Sequence, residues 1–108
     1  MEIDQYINTI TAFISLQKVD QYLVGITGNF NARRRSYKRI EFLYFFELKA
    51  GLTKTEALSL EEKLFKALVI DKTSVTYTKY HHKKRDGPYH PSTGGIDCDS
   101  YFLYVAAF

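Results

Sequence analysis

The stretch TKTEALSLEEKLFKAL, residues 53–68, carries the strongest structural signal in this chain of 108 residues. Thr53 is followed three residues later by Glu56, the spacing of a capping box, in which each side chain satisfies a backbone N–H at the start of a helix. Apolar residues then recur with the period of a helix that packs on one face. They are Ala57, Leu58, Leu60, Leu64, Phe65 and Leu68. The stretch therefore predicts a helix that covers a sheet.

Glu61 lies in the middle of this apolar stripe. At about 100° per residue, it falls one turn after Ala57 and one turn before Phe65. A carboxylate held against an apolar face costs on the order of several kcal/mol unless a cation, a metal ion or hydrogen-bond donors compensate it. Glu61 is therefore a candidate for a functional site, and a purely structural ion pair is the alternative.

Five other segments predict strands. TITAFIS (9–15) and QYLVGIT (21–27) are β-branched and aromatic runs separated by a short polar stretch, so they predict a hairpin. EFLYFFEL (41–48) is apolar almost throughout, which predicts a central strand buried on both faces. SVTYTKY (74–80) alternates like an exposed strand, and SYFLYVAAF (100–108) predicts a closing strand, apolar on both faces. These segments predict an α+β fold with a small, mostly antiparallel sheet flanked by helices.

Length and composition indicate one domain. With 45% hydrophobic and 16% aromatic residues, the chain can bury a core without staples. We expect a single domain over residues 1–108, with a core at about 9–69 and a C-terminal strand–loop–strand extension at 74–108. The single cysteine, Cys98, argues against a disulfide framework, and neither a secretory leader nor a membrane-spanning run is apparent. We therefore expect a cytoplasmic protein without a membrane partner.

The short segment GNFNARRRSYKR, residues 28–39, predicts a helix capped by Asn29 or Asn31. Helical geometry places four of its residues on one face. They are Phe30, Arg33, Arg34 and Tyr37. Because Phe30 is expected to face the core, an arginine one turn away would stand at the edge of the sheet, within reach of a carboxylate or a phosphate. Arg33 is the preferred arginine.

Basic residues form two clusters in a chain whose net charge is +3. The first comprises Arg33, Arg34, Arg35, Lys38 and Arg39, and the second comprises Lys79, Lys83, Lys84 and Arg85. Such clusters suit a nucleic-acid partner, although solvated basic faces without ligands are equally common. The residues that we predict to bind nucleic acid are Arg34, Arg35, Lys38, Lys83, Lys84 and Arg85.

The segment YLVGITGNFNARRRSY, residues 22–37, resembles the part of GIY-YIG nucleases that runs from the YIG strand through a threonine and a short spacer to an arginine. In this register Gly25 and Thr27 lie at the end of the strand. Arg33 takes the position of the family's catalytic arginine, and Tyr37 that of the following histidine or tyrosine.

The stretch around Glu61 is similar to the family helix in which an Ala-Leu pair precedes the metal-binding glutamate. The resemblance covers about residues 9–68, and it implies a GIY-YIG-like fold and hydrolysis of DNA phosphodiester bonds. It further implies that Glu61 holds Mg²⁺ or Mn²⁺ and that Arg33 steadies the phosphate.

The two tyrosines of the family motif are displaced or replaced. Phe13 stands where the resemblance expects the tyrosine of the first strand, and Leu23 stands where it expects that of the second. Tyr22 is offset by one residue, so it reaches the site only through a bulge. Tyr6, Tyr37 or a histidine could substitute, and loss of cleavage is the remaining possibility. The catalytic candidates are Arg33, Glu61, Tyr22 and Tyr37.

A second hypothesis is a catalytically degenerate module with the GIY-YIG fold. Such a module would bind nucleic acid, a nucleotide or, like a small phage-like inhibitor, a protein partner. The aromatic tail offers a surface for stacking, for a protein interface or for a homodimer. Its tyrosines are Tyr77, Tyr80, Tyr89, Tyr101 and Tyr104. His81 and His82 are adjacent and lack further ligands at metal spacing in the sequence, so they do not predict a transition-metal site.

Overall fold

Three antiparallel strands and five helices make up the described part of the chain. The computed structural model describes residues 2–16, 18–40, 42–86 and 100–108, with the backbone alone for 2, 83 and 84. In chain order the elements are α1 (Glu2–Ile14), β1 (Tyr22–Thr27), α2 (Phe30–Arg39), β2 (Tyr44–Leu52), α3 (Lys54–Val69), α4 (Val75–Thr78), α5 (His82–Arg85) and β3 (Tyr101–Ala107). The predicted α+β class with an antiparallel sheet is confirmed.

The strand order is β1-β3-β2, so β3 is the central strand. Its register with β1 is continuous from Tyr22 opposite Ala107 to Thr27 opposite Phe102. All of β3 is buried apart from the partly exposed Phe102, as its apolar sequence on both faces predicts. The prediction that residues 41–48 form the central strand is wrong. That segment contributes to β2, an edge strand whose residues are mostly half-buried or exposed.

The predicted strand at residues 9–15 is also wrong, because these residues belong to α1. Over the full helix, apolar residues recur at helical spacing, which a window of seven residues hides. They are Ile3, Tyr6, Ile7, Ile10, Phe13 and Ile14. The hydroxyl of Thr11 donates to the carbonyl of Ile7 at 2.7 Å, so this β-branched polar residue is accommodated within the helix. The partner of β1 is therefore β3, not a preceding hairpin strand.

Residues 74–80 form the short helix α4 followed by a turn, so the predicted exposed strand is wrong here too. Ser74 caps α4 by accepting a hydrogen bond from the backbone N–H of Tyr77 at 3.2 Å. The chain then returns to the sheet at a single bridge between Tyr80 and Tyr22. Through this bridge, one residue pairs with the outer edge of β1.

The two helices that the sequence predicted are present. In α3 the hydroxyl of Thr53 accepts the N–H of Glu56 at 3.1 Å, and the carboxylate of Glu56 accepts the N–H of Thr53 at 2.9 Å. This reciprocal pair confirms the capping box. In α2 the side chain of Asn29 accepts the N–H of Ala32 at 3.0 Å, so Asn29 is the cap.

Helices α1 and α2 cover opposite faces of the sheet. Phe30 of α2 packs on Phe45, with ring centroids 4.9 Å apart, and on Phe102 at 5.5 Å. Phe13 of α1 packs on Phe46 at 4.9 Å. Neighbouring residues of a strand point to opposite faces, so Phe45 lies in the layer with α2 and Phe46 lies in the layer with α1. Phe30 contacts the core, as predicted.

The sheet draws on both of the parts into which the sequence divided the chain. β1 and β2 come from the predicted core at 9–69, and the central strand comes from the predicted extension at 74–108. None of the helices within the described residues combines the length and the apolar character needed to cross a bilayer.

Candidate functional site

The site begins where Tyr104 of β3 lies across Gly25 of β1. These two residues are directly opposite each other in the antiparallel register. A Cβ atom added to Gly25 would lie 2.6 Å from Cζ of the Tyr104 ring, closer than real contacts allow. The missing side chain at Gly25 is therefore what lets the ring of Tyr104 lie flat across the strand. Tyr104 is 2% exposed in this position.

Tyr37 of α2 meets Tyr104 through its hydroxyl group. The two phenol oxygens are 3.0 Å apart, and the ring centroids are 5.7 Å apart. Burial raises the pKa of Tyr104 well above its usual 10.0, and the neighbouring Tyr37 raises it further. Tyr104 is therefore a neutral phenol at physiological pH and acts as a hydrogen-bonding group, not as a phenolate.

Arg33 and Glu61 act on the same phenol from two different helices. After burial and Tyr37, the positive charge of Arg33 lowers the pKa of Tyr104 and the negative charge of Glu61 raises it. Both charges therefore contribute to the electrostatic environment of this phenol. The side chains of Arg33 and Tyr37 lie on one face of α2, and both are half-buried.

Glu61 is 6% exposed and sits among the buried apolar residues of α3, where the helical period places it. It also acts on Tyr80, whose hydroxyl accepts the N–H of Val24 at 3.4 Å on the outer edge of β1. Burial is the main cause that raises the pKa of Tyr80; the bond from Val24 lowers it, and Glu61 raises it again. The charge of Glu61 therefore influences two phenols, those of Tyr80 and Tyr104.

Tyr22, the other predicted catalytic tyrosine, is not brought to this site. It is fully buried, and its hydroxyl donates to the backbone carbonyl of Thr76 at 2.7 Å. Because the register of β1 with β3 is continuous, Tyr22 points to the face opposite Gly25 and Tyr104. Tyr22 ties β1 to α4.

The predicted nucleic-acid-binding residues fall into two groups. Arg34, Arg35 and Lys38 are exposed on α2. Arg85, by contrast, is used within the protein: its guanidinium donates to the carbonyl of Thr78 at 2.8 Å and forms an ion pair with Asp86 at 3.2 Å. Cations at a helix C-terminus stabilise its open carbonyls, which explains this arrangement.

Several predicted positions lie outside the described residues. They are the side chains of Lys83 and Lys84, and the residues Tyr89 and Cys98. Within the described residues, no three histidine, cysteine, aspartate or glutamate side chains cluster as metal ligands.

The donor set fits a hard divalent cation. Glu61 supplies a buried carboxylate, and its charge raises the pKa of the phenols of Tyr80 and Tyr104. Mg²⁺ usually keeps several waters and is held by one or two carboxylates together with substrate phosphates. A single buried carboxylate is thus a sufficient protein contribution for Mg²⁺ or Mn²⁺.

Comparisons with protein-family models, with curated proteins and with solved structures found no significant match to this chain. Tyr104 and Tyr80 are the site residues that the sequence did not single out for chemistry. The available signal was Gly25, since a glycine inside an apolar strand often marks the close approach of another group.

Proposed function

We propose that this protein is a metal-dependent endonuclease of the GIY-YIG type, which hydrolyses phosphodiester bonds in DNA. One observation supports this proposal above all. Arg33 and Tyr37 of α2 and Glu61 of α3 all act on Tyr104 of β3, whose phenol lies against Gly25 of β1. A cationic phosphate-binding group, a carboxylate for a metal ion and neutral hydroxyls are the groups that phosphodiester hydrolysis requires.

Each residue has a role that follows from its chemistry. Arg33 offers fixed donors to two phosphate oxygens. Glu61 would hold Mg²⁺ or Mn²⁺, which when bound neutralises charge that develops on the phosphate. The paired hydroxyls of Tyr37 and Tyr104 orient a water molecule or a phosphate oxygen by hydrogen bonding. Tyr104 offers a phenol on the strand beside β1, whereas the resemblance expects one at the position of Phe13.

A cleavage assay with matched variants tests the proposal. Plasmid and single-stranded DNA are incubated with Mg²⁺ or Mn²⁺. Arg33→Ala and Glu61→Gln are expected to lose about 10²-fold or more of the activity, because Arg33 contacts the phosphate and Glu61 would hold the metal ion. Tyr104→Phe is expected to lose about tenfold or more. Thermal unfolding of each variant checks that it folds.

Two control variants change the same residue types at positions outside the site. Glu62→Gln alters the half-buried neighbour of Glu61 on α3, and Tyr22→Phe removes a buried hydroxyl on the other face of the sheet. Both should keep cleavage close to the wild type. Absence of cleavage in the wild type, or cleavage indifferent to Arg33 and Glu61, refutes the nuclease.

A second candidate is a binding module on the same scaffold, and the exposed cations Arg34, Arg35 and Lys38 favour DNA as its partner. This module would bind DNA without cutting it. Its affinity would fall steeply with added salt, because phosphate contacts release counterions. The affinity would depend less on salt if the ligand were a nucleotide, a protein partner, as for a phage-like inhibitor, or a second copy of the chain in a homodimer.

A further inference from the structure

A row of contacting rings leads away from the candidate site. Tyr37 contacts Phe42, with ring centroids 4.9 Å apart, and Phe42 contacts Phe108 at 4.7 Å. The ring of His81 is nearly parallel to that of Phe42, at 7° and 6.4 Å, and His82 stacks on His81 at 5.1 Å. We call these five residues the aromatic track. It starts at the tyrosine that touches Tyr104 and ends at an exposed histidine.

Backbone hydrogen bonds fix the track in place. The N–H of Phe42 donates to the carbonyl of Tyr37 at 3.0 Å, just after α2 ends. The N–H of His81 donates to the carbonyl of Tyr22 at 2.8 Å, and the N–H of Phe108 donates to that of Gln21 at 2.9 Å. The rings therefore belong to residues at or next to the ends of α2 and β3 and next to the bridge between Tyr80 and Tyr22.

The track is accessible. His82 is exposed, and Phe42, His81 and Phe108 are each partly exposed. Nε2 of Gln21 lies 3.4 Å from Nδ1 of His82, which helps to hold the terminal imidazole. Parallel, partly exposed rings provide faces on which a further planar group can stack.

Charge beside the track matches a polyanion. Helix α2, which carries Tyr37, contains five arginines and lysines and no acidic residue over Phe30–Arg39. Arg34, Arg35 and Lys38 are exposed on it. Aromatic faces combined with neighbouring cations bind single-stranded nucleic acid, because every unpaired base has a face to stack and every nucleotide has a phosphate. The bases of a duplex are stacked on each other and cannot use the track.

We propose that the aromatic track binds unpaired bases of a DNA strand next to the phosphate held by Arg33. The inference rests on the proposed nuclease function and specifies its substrate as single-stranded DNA, or DNA with an unpaired segment beside the cleaved bond. His82 and Phe42 then determine the preference for single strands, while Arg33 and Glu61 carry the chemistry.

Binding without cleavage tests this inference separately from the nuclease. Fluorescence anisotropy is measured in EDTA with a labelled oligo-dT of about 15 nucleotides and a duplex of the same length. The wild type is expected to bind the single strand at least about tenfold more tightly. His82→Ala is expected to weaken single-strand binding about fivefold, whereas His82→Phe, which retains a stacking face, stays within about twofold of the wild type.

The matched control is Leu43→Ala, which alters an exposed apolar side chain, 74% exposed, one residue from Phe42. It should leave binding unchanged. Phe42→Leu, followed by thermal unfolding to confirm the fold, should weaken single-strand binding as His82→Ala does.

Equal affinity for single and double strands, or single-strand binding insensitive to both His82→Ala and Phe42→Leu, overturns the inference. Cleavage that depends on Arg33 and Glu61 would still support the nuclease in that case. Tight, track-dependent binding in EDTA without cleavage in Mg²⁺ or Mn²⁺ refutes the nuclease and supports the track. Binding of neither DNA overturns the track.

Discussion

Tyr22 and Tyr104 are both buried, and the hydrogen-bond partner of each hydroxyl distinguishes the structural tyrosine from the tyrosine of the candidate site. The hydroxyl of Tyr22 donates to a backbone carbonyl, that of Thr76, and joins two elements. The hydroxyl of Tyr104 lies 3.0 Å from that of Tyr37 and within the influence of Arg33 and Glu61. Burial raises the pKa of both Tyr22 and Tyr104, so burial alone does not distinguish them. Their partners do.

Gly25→Ala tests the close approach of Tyr104. The new methyl group overlaps the phenol ring, so the free energy of unfolding should fall by about 1–3 kcal/mol, the usual cost of overpacking. Urea denaturation measures the change. In a Tyr104→Leu background, where the ring is absent, Gly25→Ala should cost clearly less. The same cost in both backgrounds would show that the ring is not what excludes a side chain.

At the scale of elements, α3 was predicted correctly and α1 was not, for a physical reason. A capping box is a local signal, because the donors and acceptors of Thr53 and Glu56 are three residues apart. α1 shows only a periodic pattern of apolar residues, and the window of residues 9–15 is too short for that pattern to distinguish a helix from a strand. Its β-branched residues then favoured the wrong choice.

The capping box provides a prediction with a defined dependence on pH. Thr53→Ala should lower the free energy of unfolding by about 1 kcal/mol at neutral pH, and Thr53→Ser should not. Hydrogen bonds from Thr53 hold the pKa of Glu56 below its usual 4.5. A depressed folded-state pKa stabilises the protein above the unfolded-state pKa, and this contribution is lost as the pH falls through the folded-state value.

The cost of Thr53→Ala should therefore be smaller at about pH 3 than at about pH 7, as measured by urea denaturation. Glu62→Gln, which alters the exposed pair with Lys66 on the same helix, serves as the control. A cost of Thr53→Ala that grows on acidification would contradict this account of Glu56.

On the scale of the whole molecule, the sheet depends on its last strand. β3 pairs with β1 and with β2, and its residues Leu103 and Val105 are fully buried. Helix α3 contacts all three strands and α1. The candidate site follows from this arrangement, since Tyr104 reaches Gly25 only through the pairing of β3 with β1.

Leu103→Ala tests the central position of β3. Removing most of this fully buried side chain should lower the free energy of unfolding by about 2–5 kcal/mol. The same change at Leu43, which is 74% exposed, should alter it by less than about 0.5 kcal/mol. Denaturation in urea compares the two variants. Similar small effects at both positions would mean that β3 does not form the centre of the sheet.

The sequence alone determined the features that arise between near neighbours in the chain. These are the capping box of α3, a cap of α2 at Asn29 or Asn31 and the placement of Glu61 on a buried stripe. Each depends on helical geometry over one or two turns, which the order of residues specifies directly.

Only the tertiary structure decided which strand lies beside β1. Tyr104 is 79 residues from Gly25 in the chain, the difference between their numbers, yet the antiparallel register places them directly opposite. The pleat of β1 then sends Tyr22 to the other face. Strand pairing at such a separation depends on the burial of the whole core and leaves no local pattern in the sequence, so Tyr104 reaches Gly25 only once the sheet has formed.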